Sequence, residues 1–416
     1  MISFNIIRKM IFFIPDILQI IQEYTNINNL LNTCHSQKYN KDKFYFWELK
    51  KEYSIKFYYE ELDIKVNTPN KQVSVNLAYY RINNLSILQN VYSANLNHCK
   101  KISNVDFLAK LHTINLSNCG KVVNVNSLKK VNTLNLTRCY SIEDVSELGF
   151  VENLNLSYTK IKDICGLGYG NDTLILSHCN NIENVDSLGK VRKLNLSFCT
   201  KIRNVSALKY VQILNLSNNK YLTDVNCLTH VKDLNLSRCT NLENINGLGN
   251  VEILNLSYCS KIKNVSQLTN VRKLNLSYCY HIENVDFLGN TFQLNLSHCS
   301  KIKKIDALRN VYDLNLSFCT KIEEFICLTS GCEEATGSGV KILNISNTKI
   351  KDVSFFSNLH SLNISKCCNV EDVSNLNNLY SLNISGCFKI KDISSLTNVC
   401  VLNMSRTKRL TPNTII

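Results

Sequence analysis

Proline is almost absent from this 416-residue sequence, which contains 3, and glycine is scarce at 13. Antiparallel sandwiches and barrels depend on these residues for their many turns, so the shortage argues against an all-β fold of that kind. No segment reaches about 18 consecutive apolar residues, the length of a membrane-spanning helix, and Arg8 and Lys9 interrupt the apolar start. We therefore expect no signal peptide, no membrane contact and a cytoplasmic location.

Basic residues and cysteines, in contrast, are plentiful. The 47 Lys and Arg against 33 Asp and Glu give a formal net charge of +14, and there are 19 Cys. A net positive charge is compatible with binding to nucleic acid or to an acidic protein partner. The positions of the basic residues decide between these two classes of partner. Cysteines at this density form disulfides in secreted proteins, but without a secretion signal we expect reduced thiols.

One tetrad, Leu-Asn-Leu-Ser, recurs with a period of 20 residues along much of the chain. In one copy Leu274 and Leu276 are spaced by two, which predicts a strand. The apolar residues Cys279, Ile282 and Val285 follow at a spacing of three, which predicts tight helical turns or an extended arc rather than an α-helix. With variant copies there are about 17 strand starts, at Val75, Ala94, Ile114, Leu134, Leu154, Leu174, Leu194, Leu214, Leu234, Leu254, Leu274, Leu294, Leu314, Leu343, Leu362, Leu382 and Leu402.

A single unit of this kind cannot bury its own apolar side, so neighbouring units have to stack into a solenoid. The unit resembles the leucine-rich repeat, and especially its cysteine-containing subclass, LxxLxLxxCxxI. The resemblance covers residues 73–416 and implies an α/β fold, a leucine-rich-repeat solenoid with a curved parallel sheet on its concave face. A Gly-rich polar stretch at 329–339 breaks the register. It is predicted to be a surface loop, either a tolerated insertion or a partner-binding element.

Most of the cysteines occupy one position of the repeat. Thr159, Thr348, Thr407 and Asn219 replace cysteine there, and such exchange favours a structural role over a disulfide or a metal site. The resemblance implies a small inward polar residue that satisfies backbone groups at a turn. The cysteines in this column are Cys99, Cys119, Cys139, Cys179, Cys199, Cys239, Cys259, Cys279, Cys299, Cys319, Cys367 and Cys387.

Asparagine makes up about one residue in seven, and the repeat accounts for much of this excess. Asn275 and its equivalents lie between the two strand leucines, so their side chains point to the opposite face of the sheet. We expect these amides to bond one another along the sheet, as side-by-side amides do at strand spacing.

Residues 1–72 lack the repeat and are predicted to form a small helical domain. Pro15 opens the first helix, Leu30 and Leu31 mark a second, and Phe44 and Trp47 mark a third. The segment resembles an F-box, with Ile14 in place of the usual leucine. The resemblance implies docking on a Skp-family adaptor through Ile14, Pro15, Asp16, Ile17, Leu18, Ile21, Leu30 and Leu31. The alternative is a helical cap that shields the first repeat.

Catalytic motifs are missing from the sequence. There is no Gly-rich phosphate loop, no HExxH and no nucleophile elbow. His98, His178 and His298 share a repeat position but are too far apart along the solenoid to act together. We expect no enzymatic activity, no cofactor and no metal site.

Two columns of variable residues are the candidate concave partner-binding surface. The position just before the cysteine is aromatic and basic, which is typical of interface hot spots, and a second column lies two positions before the first strand leucine. The alternative is an edge without a selected function. The candidates are Arg138, Tyr158, His178, Phe198, Arg238, Tyr258, Tyr278, His298, Phe318, Arg192, Arg272 and Tyr312.

Much of the basic excess lies in one row at the turn after the cysteine. Lys201, Lys261 and Lys301 belong to this row, and Glu183 and Glu283 are interleaved with it. A row of mixed charge does not track phosphates, so we expect no nucleic-acid binding.

The sequence predicts a non-catalytic protein-interaction protein. F-box and leucine-rich-repeat segments in this order are similar to the substrate-recognition subunits of Skp-cullin-F-box ubiquitin ligases, with a protein substrate on the concave face. The alternative is a free-standing binding scaffold. The composition and the near-identical copies are also similar to repeat proteins of giant amoeba-infecting viruses, which would place the protein in the host cytoplasm.

Overall fold

The computed structural model describes residues 44–48, 72–80, 82, 85–322, 324–325, 328 and 339–407. Of Phe44–Glu48 and Gln72 it describes the backbone only. The chain divides into two compact units, Met1–Leu176 (unit 1) and Ser177–Ile416 (unit 2). Most of the predicted helical segment 1–72 and of the insertion 329–339 lies outside the described residues, so the boundary at 72–73 stays a prediction.

Unit 1 contains a parallel sheet in which each strand pairs with the next along the chain. The register places equivalent repeat positions opposite each other, so Ile114 pairs with Leu134 and Asn115 with Asn135. The strands are β1 (Phe44–Glu48), β2 (Gln72–Asn76), β3 (Ser93–Asn95), β4 (Thr113–Asn115), β5 (Thr133–Asn135), β6 (Asn153–Asn155) and β7 (Thr173–Ile175).

Unit 2 contains a parallel sheet built in the same way, with Leu254 opposite Leu274 and Asn255 opposite Asn275. The strands are β8 (Lys193–Asn195), β9 (Ile213–Asn215), β10 (Asp233–Asn235), β11 (Ile253–Asn255), β12 (Lys273–Asn275), β13 (Gln293–Asn295), β14 (Asp313–Asn315), β15 (Ile342–Asn344), β16 (Ser361–Asn363), β17 (Ser381–Asn383) and β18 (Val401–Asn403). Within the described residues, β2–β18 are the 17 predicted strands.

Short 3-10 helices lie between strands, as the spacing of three predicts, because this helix turns once in three residues. The part of the chain that the structure describes contains no α-helix and no helix long and apolar enough to cross a bilayer. The 3-10 helices are Ser86–Leu88, Asp106–Leu108, Asn126–Lys130, Ser146–Phe150, Asp186–Lys190, Ser206–Tyr210, Asn246–Leu248, Asp286–Leu288, Asp306–Asn310, Ser354–Phe356 and Ser374–Leu376.

The core of each unit consists of stacked columns of identical or similar side chains. The predicted apolar positions are buried; Leu276, Ile282 and Leu288, for example, are 0% exposed. Backbone bonds continue the stack beyond the strands, since Leu276 N–H donates to Asn295 O at 2.8 Å and Tyr278 N–H to Ser297 O at 2.9 Å. Each repeat therefore depends on its neighbours for both apolar burial and backbone bonding.

The prediction of a third N-terminal helix around Phe44 and Trp47 is wrong. Phe44–Glu48 is strand β1, which pairs in parallel with β2 along its whole length, Phe44 opposite Gln72 and Glu48 opposite Asn76. The first four of its five residues are aromatic, a type that is enriched in strands. Without β1, the N–H and C=O groups along this edge of β2 would have no strand to pair with. Pairing with Phe44–Glu48 satisfies these groups, which a helix at the same place would leave unpaired.

The strand asparagines are used differently from the prediction. Their side-chain oxygens accept bonds from the backbone two residues on; Ser277 N–H donates to Asn275 Oδ1 at 3.0 Å, and the other repeats follow this pattern. An amide-to-amide bond along the sheet occurs between Asn95 and Asn76, at 3.0 Å. The bond from the asparagine side chain to the nearby backbone is favoured over an amide-to-amide bond, because it orders one side chain instead of two.

A second Asn or Asp in many repeats caps the 3-10 turn, which the sequence reasoning missed. Ser206 N–H donates to Asn204 Oδ1 at 2.9 Å, and Ser374 N–H donates to Asp372 Oδ1 at 2.8 Å. The two caps together explain why asparagine is so abundant. The hydrogen bond from the Ser374 backbone is the main cause that holds the pKa of Asp372 below its usual range, and Ser394 does the same for Asp392.

These aspartate caps predict a specific loss of stability in acid. A carboxyl whose pKa is lower in the folded state stabilises the fold above its unfolded pKa, about 3.9, and loses this effect as pH falls through the folded pKa. Asp144 caps Ser146 in the same way, and the bond from the Ser146 backbone lowers its pKa. We expect the variant Asp144→Asn, Asp372→Asn, Asp392→Asn to match the wild type at pH 7 and to lose less stability in acid. Thermal unfolding measured at a series of pH values checks this, and identical acid losses would contradict it.

Candidate partner-binding face

The position just before the cysteine has left-handed backbone conformation in repeat after repeat. In unit 2 the φ angle is 61° at Phe198, 62° at Tyr278 and 63° at His298. The turn arises because the Asx cap reverses the chain directly after the strand, while the N–H of this residue still reaches the next repeat. We call this the turn column.

The residue types in the turn column are unfavourable for its backbone. Glycine and asparagine adopt positive φ at low cost, whereas bulky side chains there are strained. The column does use the favourable residues at Asn118, Asn218, Asn347 and Gly386. Elsewhere it carries mostly aromatic and basic side chains. Backbone requirements therefore do not explain these side chains, and strain of this kind is typical of functional positions.

The longest run of the turn column in unit 2 forms one continuous stack. Arg238 lies over the Tyr258 ring, with 4.6 Å from Cζ to the ring centroid. The ring centroids are 4.2 Å apart for Tyr258 and Tyr278, 4.0 Å for Tyr278 and His298, and 4.0 Å for His298 and Phe318. We call Arg238, Tyr258, Tyr278, His298 and Phe318 the ring ladder.

Other candidates of the turn column also pair with their neighbours. His178 stacks on Phe198 in unit 2, with centroids 4.1 Å apart. In unit 1, Arg138 lies 5.0 Å from the centroid of Tyr158. Neighbouring strands are about 4.8 Å apart, which is close to the distance between stacked rings. Aromatic residues at the same position of neighbouring repeats therefore stack on each other. Burial lowers the pKa of His178 and of His298, which favours neutral rings that stack like their aromatic neighbours.

The second predicted column lies at the start of each strand and also forms stacks. Phe292 and Tyr312 have centroids 4.9 Å apart, and Arg272 lies 5.5 Å from the centre of the Phe292 ring. Arg272 also forms an ion pair with Glu252 at 3.7 Å. Arg192 occupies the equivalent position before β8 and is exposed. The structure thus connects Arg272 and Tyr312 through Phe292, which lies between them in the same column.

Between the two columns lies the solvent face of the sheet, which includes residues that the sequence reasoning missed. Ile213 and Ile253, the first residues of β9 and β11, are 40% and 37% exposed. Side chains alternate along a strand, so these residues lie on the same side of the sheet as the asparagines two positions later. The period of two in the sequence could therefore have predicted their exposure. The face of unit 2 therefore combines exposed aromatic, aliphatic and basic groups in adjacent repeats.

The cysteine column belongs to the interior, as predicted. All described cysteines are free thiols. Cys279 Sγ–H donates to Leu256 O at 3.2 Å, a carbonyl of the preceding repeat, and Asn219 makes the same link from Nδ2 to Leu196 O at 2.9 Å. Burial raises the pKa of Cys279 to about 12. Such a thiol is protonated at neutral pH and unsuited to redox chemistry.

The cysteine column predicts a sharp pattern of chemical labelling. At pH 7.5 we expect a maleimide to modify the exposed Cys368 and Cys400 first. Cys165 should follow more slowly, because its hydrogen bond with Asp163 raises its pKa, and the column cysteines should react only in denaturant. Peptide mass spectrometry of native and denatured samples resolves each site. Labelling of the column at the rate of Cys368 would contradict the buried placement.

The basic row after the cysteine is paired with acidic residues. Lys201 forms an ion pair with Glu183 at 3.0 Å, and Lys301 with Glu283 at 2.9 Å, each reaching the preceding repeat. All four side chains are largely exposed, so these pairs add little stability. Their charges cancel locally, as expected for a row that contains both basic and acidic residues. Within the described ranges, no three metal-ligating side chains form a cluster.

The predicted adaptor-binding residues Ile14–Leu31 lie outside the described residues. Their role therefore remains a prediction from the sequence motif. Of residues 1–72, the structure describes strand β1 and Gln72, the first residue of β2, and both belong to the sheet of unit 1.

Comparison with known proteins identifies the fold. No protein-family profile matches the chain, and no curated protein sequence matches it. Among solved structures, a Leptospira interrogans leucine-rich-repeat protein shares 16% identity over 81% of this chain and 94% of its own, with a TM-score of 0.54. An internalin from Listeria monocytogenes shares 20% identity over 71% of this chain and 88% of its own, with a TM-score of 0.50. The chain has the leucine-rich-repeat fold.

Proposed function

We propose that this protein is a non-catalytic binding protein that holds a protein partner on the sheet face of unit 2. The ring ladder carries the proposal, because it maintains large side chains at backbone positions where glycine or asparagine costs less. Aromatic residues and arginine are also the types that dominate binding energy at protein interfaces. The exposed Ile213 and Ile253 add apolar area to the same face.

The test removes the ladder and compares partner capture. In the variant Tyr258→Ser, Tyr278→Ser, Phe318→Ser the exposed edges are lost while the backbone conformation remains accessible. The matched control, Tyr140→Ser, Phe287→Ser, Phe388→Ser, removes three aromatic side chains that are 47–52% exposed at other places. Proteins retained from a lysate by the wild type and the control, but lost by the ladder variant, are the expected result. Equal retention by all three would reject the proposal.

A more specific role is supported by the motif between Ile14 and Leu31. If this segment docks on a Skp-family adaptor, the protein is the substrate-recognition subunit of a Skp-cullin-F-box ubiquitin ligase, and the face of unit 2 holds its substrate. A viral origin would place this ligase in the host cytoplasm. Strand β1 supports the alternative, a free-standing scaffold, since it takes Phe44–Glu48 out of the predicted helical domain and into the sheet.

Co-purification with a Skp-family adaptor separates these two roles. The ligase role predicts that the wild-type chain retains the adaptor and that the variant Pro15→Ala, Leu18→Asp, Leu30→Asp does not. Circular dichroism must show an unchanged solenoid in the variant. If the wild-type chain fails to retain the adaptor, the free-standing scaffold remains.

A further inference from the structure

The rings of the ladder have no free faces in the middle of the stack. Tyr278 lies between Tyr258 and His298, with interplanar angles of 8° and 12°. His298 lies between Tyr278 and Phe318, at 12° and 15°. Sugars and cations bind aromatic faces, which are negative, whereas ring edges carry partial positive charge. A ligand that meets this ladder from solvent therefore meets ring edges and the phenol hydroxyls of Tyr258 and Tyr278, which can donate hydrogen bonds to an anion.

The basic residues on the same face also favour a negatively charged ligand. Across the two variable columns and the first strand residues, between residues 192 and 318, six basic residues stand against three acidic ones. The basic residues are Arg192, Lys193, Lys232, Arg238, Arg272 and Lys273, and the acidic ones are Asp233, Glu252 and Asp313.

Several of these cations are available to a ligand. Within the described residues, Lys232, Arg238 and Lys273 form no ion pair, and Arg238 is held in place by the Tyr258 ring. This differs from the row of Lys201 and Lys301, whose charges are already matched by glutamates. The net positive charge of the face is thus concentrated beside exposed ring edges and aliphatic side chains.

We infer that the partner held by this face presents an acidic protein segment, whose carboxylates lie against Arg238, Lys273 and the edges of the ring ladder. The inference rests on the proposed function and specifies the chemistry of the partner. Charge complementarity of this kind accelerates association and selects among partners. Apolar side chains of the same segment contact Ile213 and Ile253.

The experiment measures binding of fluorescein-labelled octaglutamate to the full chain by fluorescence anisotropy. Arg238→Glu with Lys273→Glu is expected to weaken binding at least about tenfold, since it reverses both unpaired charges. The matched control is Lys263→Glu with Arg309→Glu, an equal charge change at exposed positions outside the face. We expect it to bind octaglutamate like the wild type. Added salt should weaken the wild-type complex.

Several outcomes would overturn the inference. These are no saturable binding of octaglutamate, equal weakening by both double variants, or equally tight binding of a single-stranded oligonucleotide of the same charge. Partner capture separates this inference from the proposed function. If capture is lost in the ladder variant but survives Arg238→Glu with Lys273→Glu, the binding face stands and the acidic partner is rejected. If capture survives in both, the proposed function fails as well.

Discussion

Asn171→Val is expected to destabilise unit 1 by about 2–4 kcal/mol, because it takes away the hydrogen bonds that Val151 O and Gly168 N–H make with the Asn171 side chain, whereas Leu148 O keeps its bond from Val151 N–H. Asn171 is 3% exposed and stands where neighbouring repeats have Val131 and Val151. Its Nδ2 donates to Leu148 O at 3.1 Å and to Val151 O at 2.5 Å. Its Oδ1 accepts from Gly168 N–H at 2.8 Å.

The reason for this asparagine is the shortened repeat that precedes it. The chain from Thr159 lacks one residue of the usual period, and Gly168 takes a φ angle of 94°. The turn keeps the bond from Leu167 N–H to Ile164 O at 2.9 Å. Beside it, the amide side chain of Asn171 supplies two donated hydrogen bonds and accepts one. A change to the consensus valine thus removes stability, although an alignment of the repeats predicts the opposite.

Thr291→Val is the matched control, since Thr291 occupies the same repeat position. Thr291 is 1% exposed, and its Oγ1 has no hydrogen-bond partner. We expect this change to stabilise unit 2 by about 1 kcal/mol, because it removes an unsatisfied hydroxyl. Urea unfolding followed by circular dichroism measures both variants. Changes of the same sign in the two would contradict the hydrogen-bond argument.

Gly247→Ala is expected to destabilise unit 2 by about 3 kcal/mol through direct overlap with the preceding repeat. A methyl group at Gly247 would lie 2.0 Å from the carbonyl oxygen of Asn226, and its carbonyl carbon and Cα would be 2.6 and 2.7 Å away. All three are backbone atoms, so the repeats would have to separate. Gly247 N–H also donates to Asn226 Oδ1 at 3.1 Å, a bond that this movement would strain.

The control for this substitution is Gly120→Ala. A methyl group there has no neighbour within 4 Å, so the change should be neutral or stabilise by up to about 1 kcal/mol, because alanine restricts the unfolded chain. Urea midpoints compare the two variants. A neutral Gly247→Ala would show that the repeats can move apart at little cost.

The repeat pattern predicted the strands, the buried columns and the 3-10 turns because these depend on local periodicity. Side chains alternate along a strand, so Leu274 and Leu276 had to face the core and Asn275 the other side. Identical copies also set the register, since any shift would expose a leucine column. The interior position of the cysteines was implied by the resemblance to cysteine-containing leucine-rich repeats, and the structure confirms it with bonds such as that of Cys279 to Leu256.

Exceptions to the pattern could not be predicted from it. Gly247 aligns with Gln267 and Phe287, which carry side chains at the same position, and the structure alone shows the close approach of Asn226. The helix predicted around Phe44 and Trp47 is wrong because the strand conformation of Phe44–Glu48 depends on pairing with β2, which follows more than twenty residues later in the sequence.

The sequence by itself determined the leucine-rich-repeat solenoid, its register and the two variable columns, because stacking identical units satisfies apolar burial and backbone bonding at once. Tertiary structure decided how those columns are presented. The Asx turns hold four residues at positive φ, namely Tyr258, Tyr278, His298 and Phe318. The distance between neighbouring strands then allows their rings to stack face to face. Such stacking depends on distances between residues twenty positions apart, which local sequence does not specify.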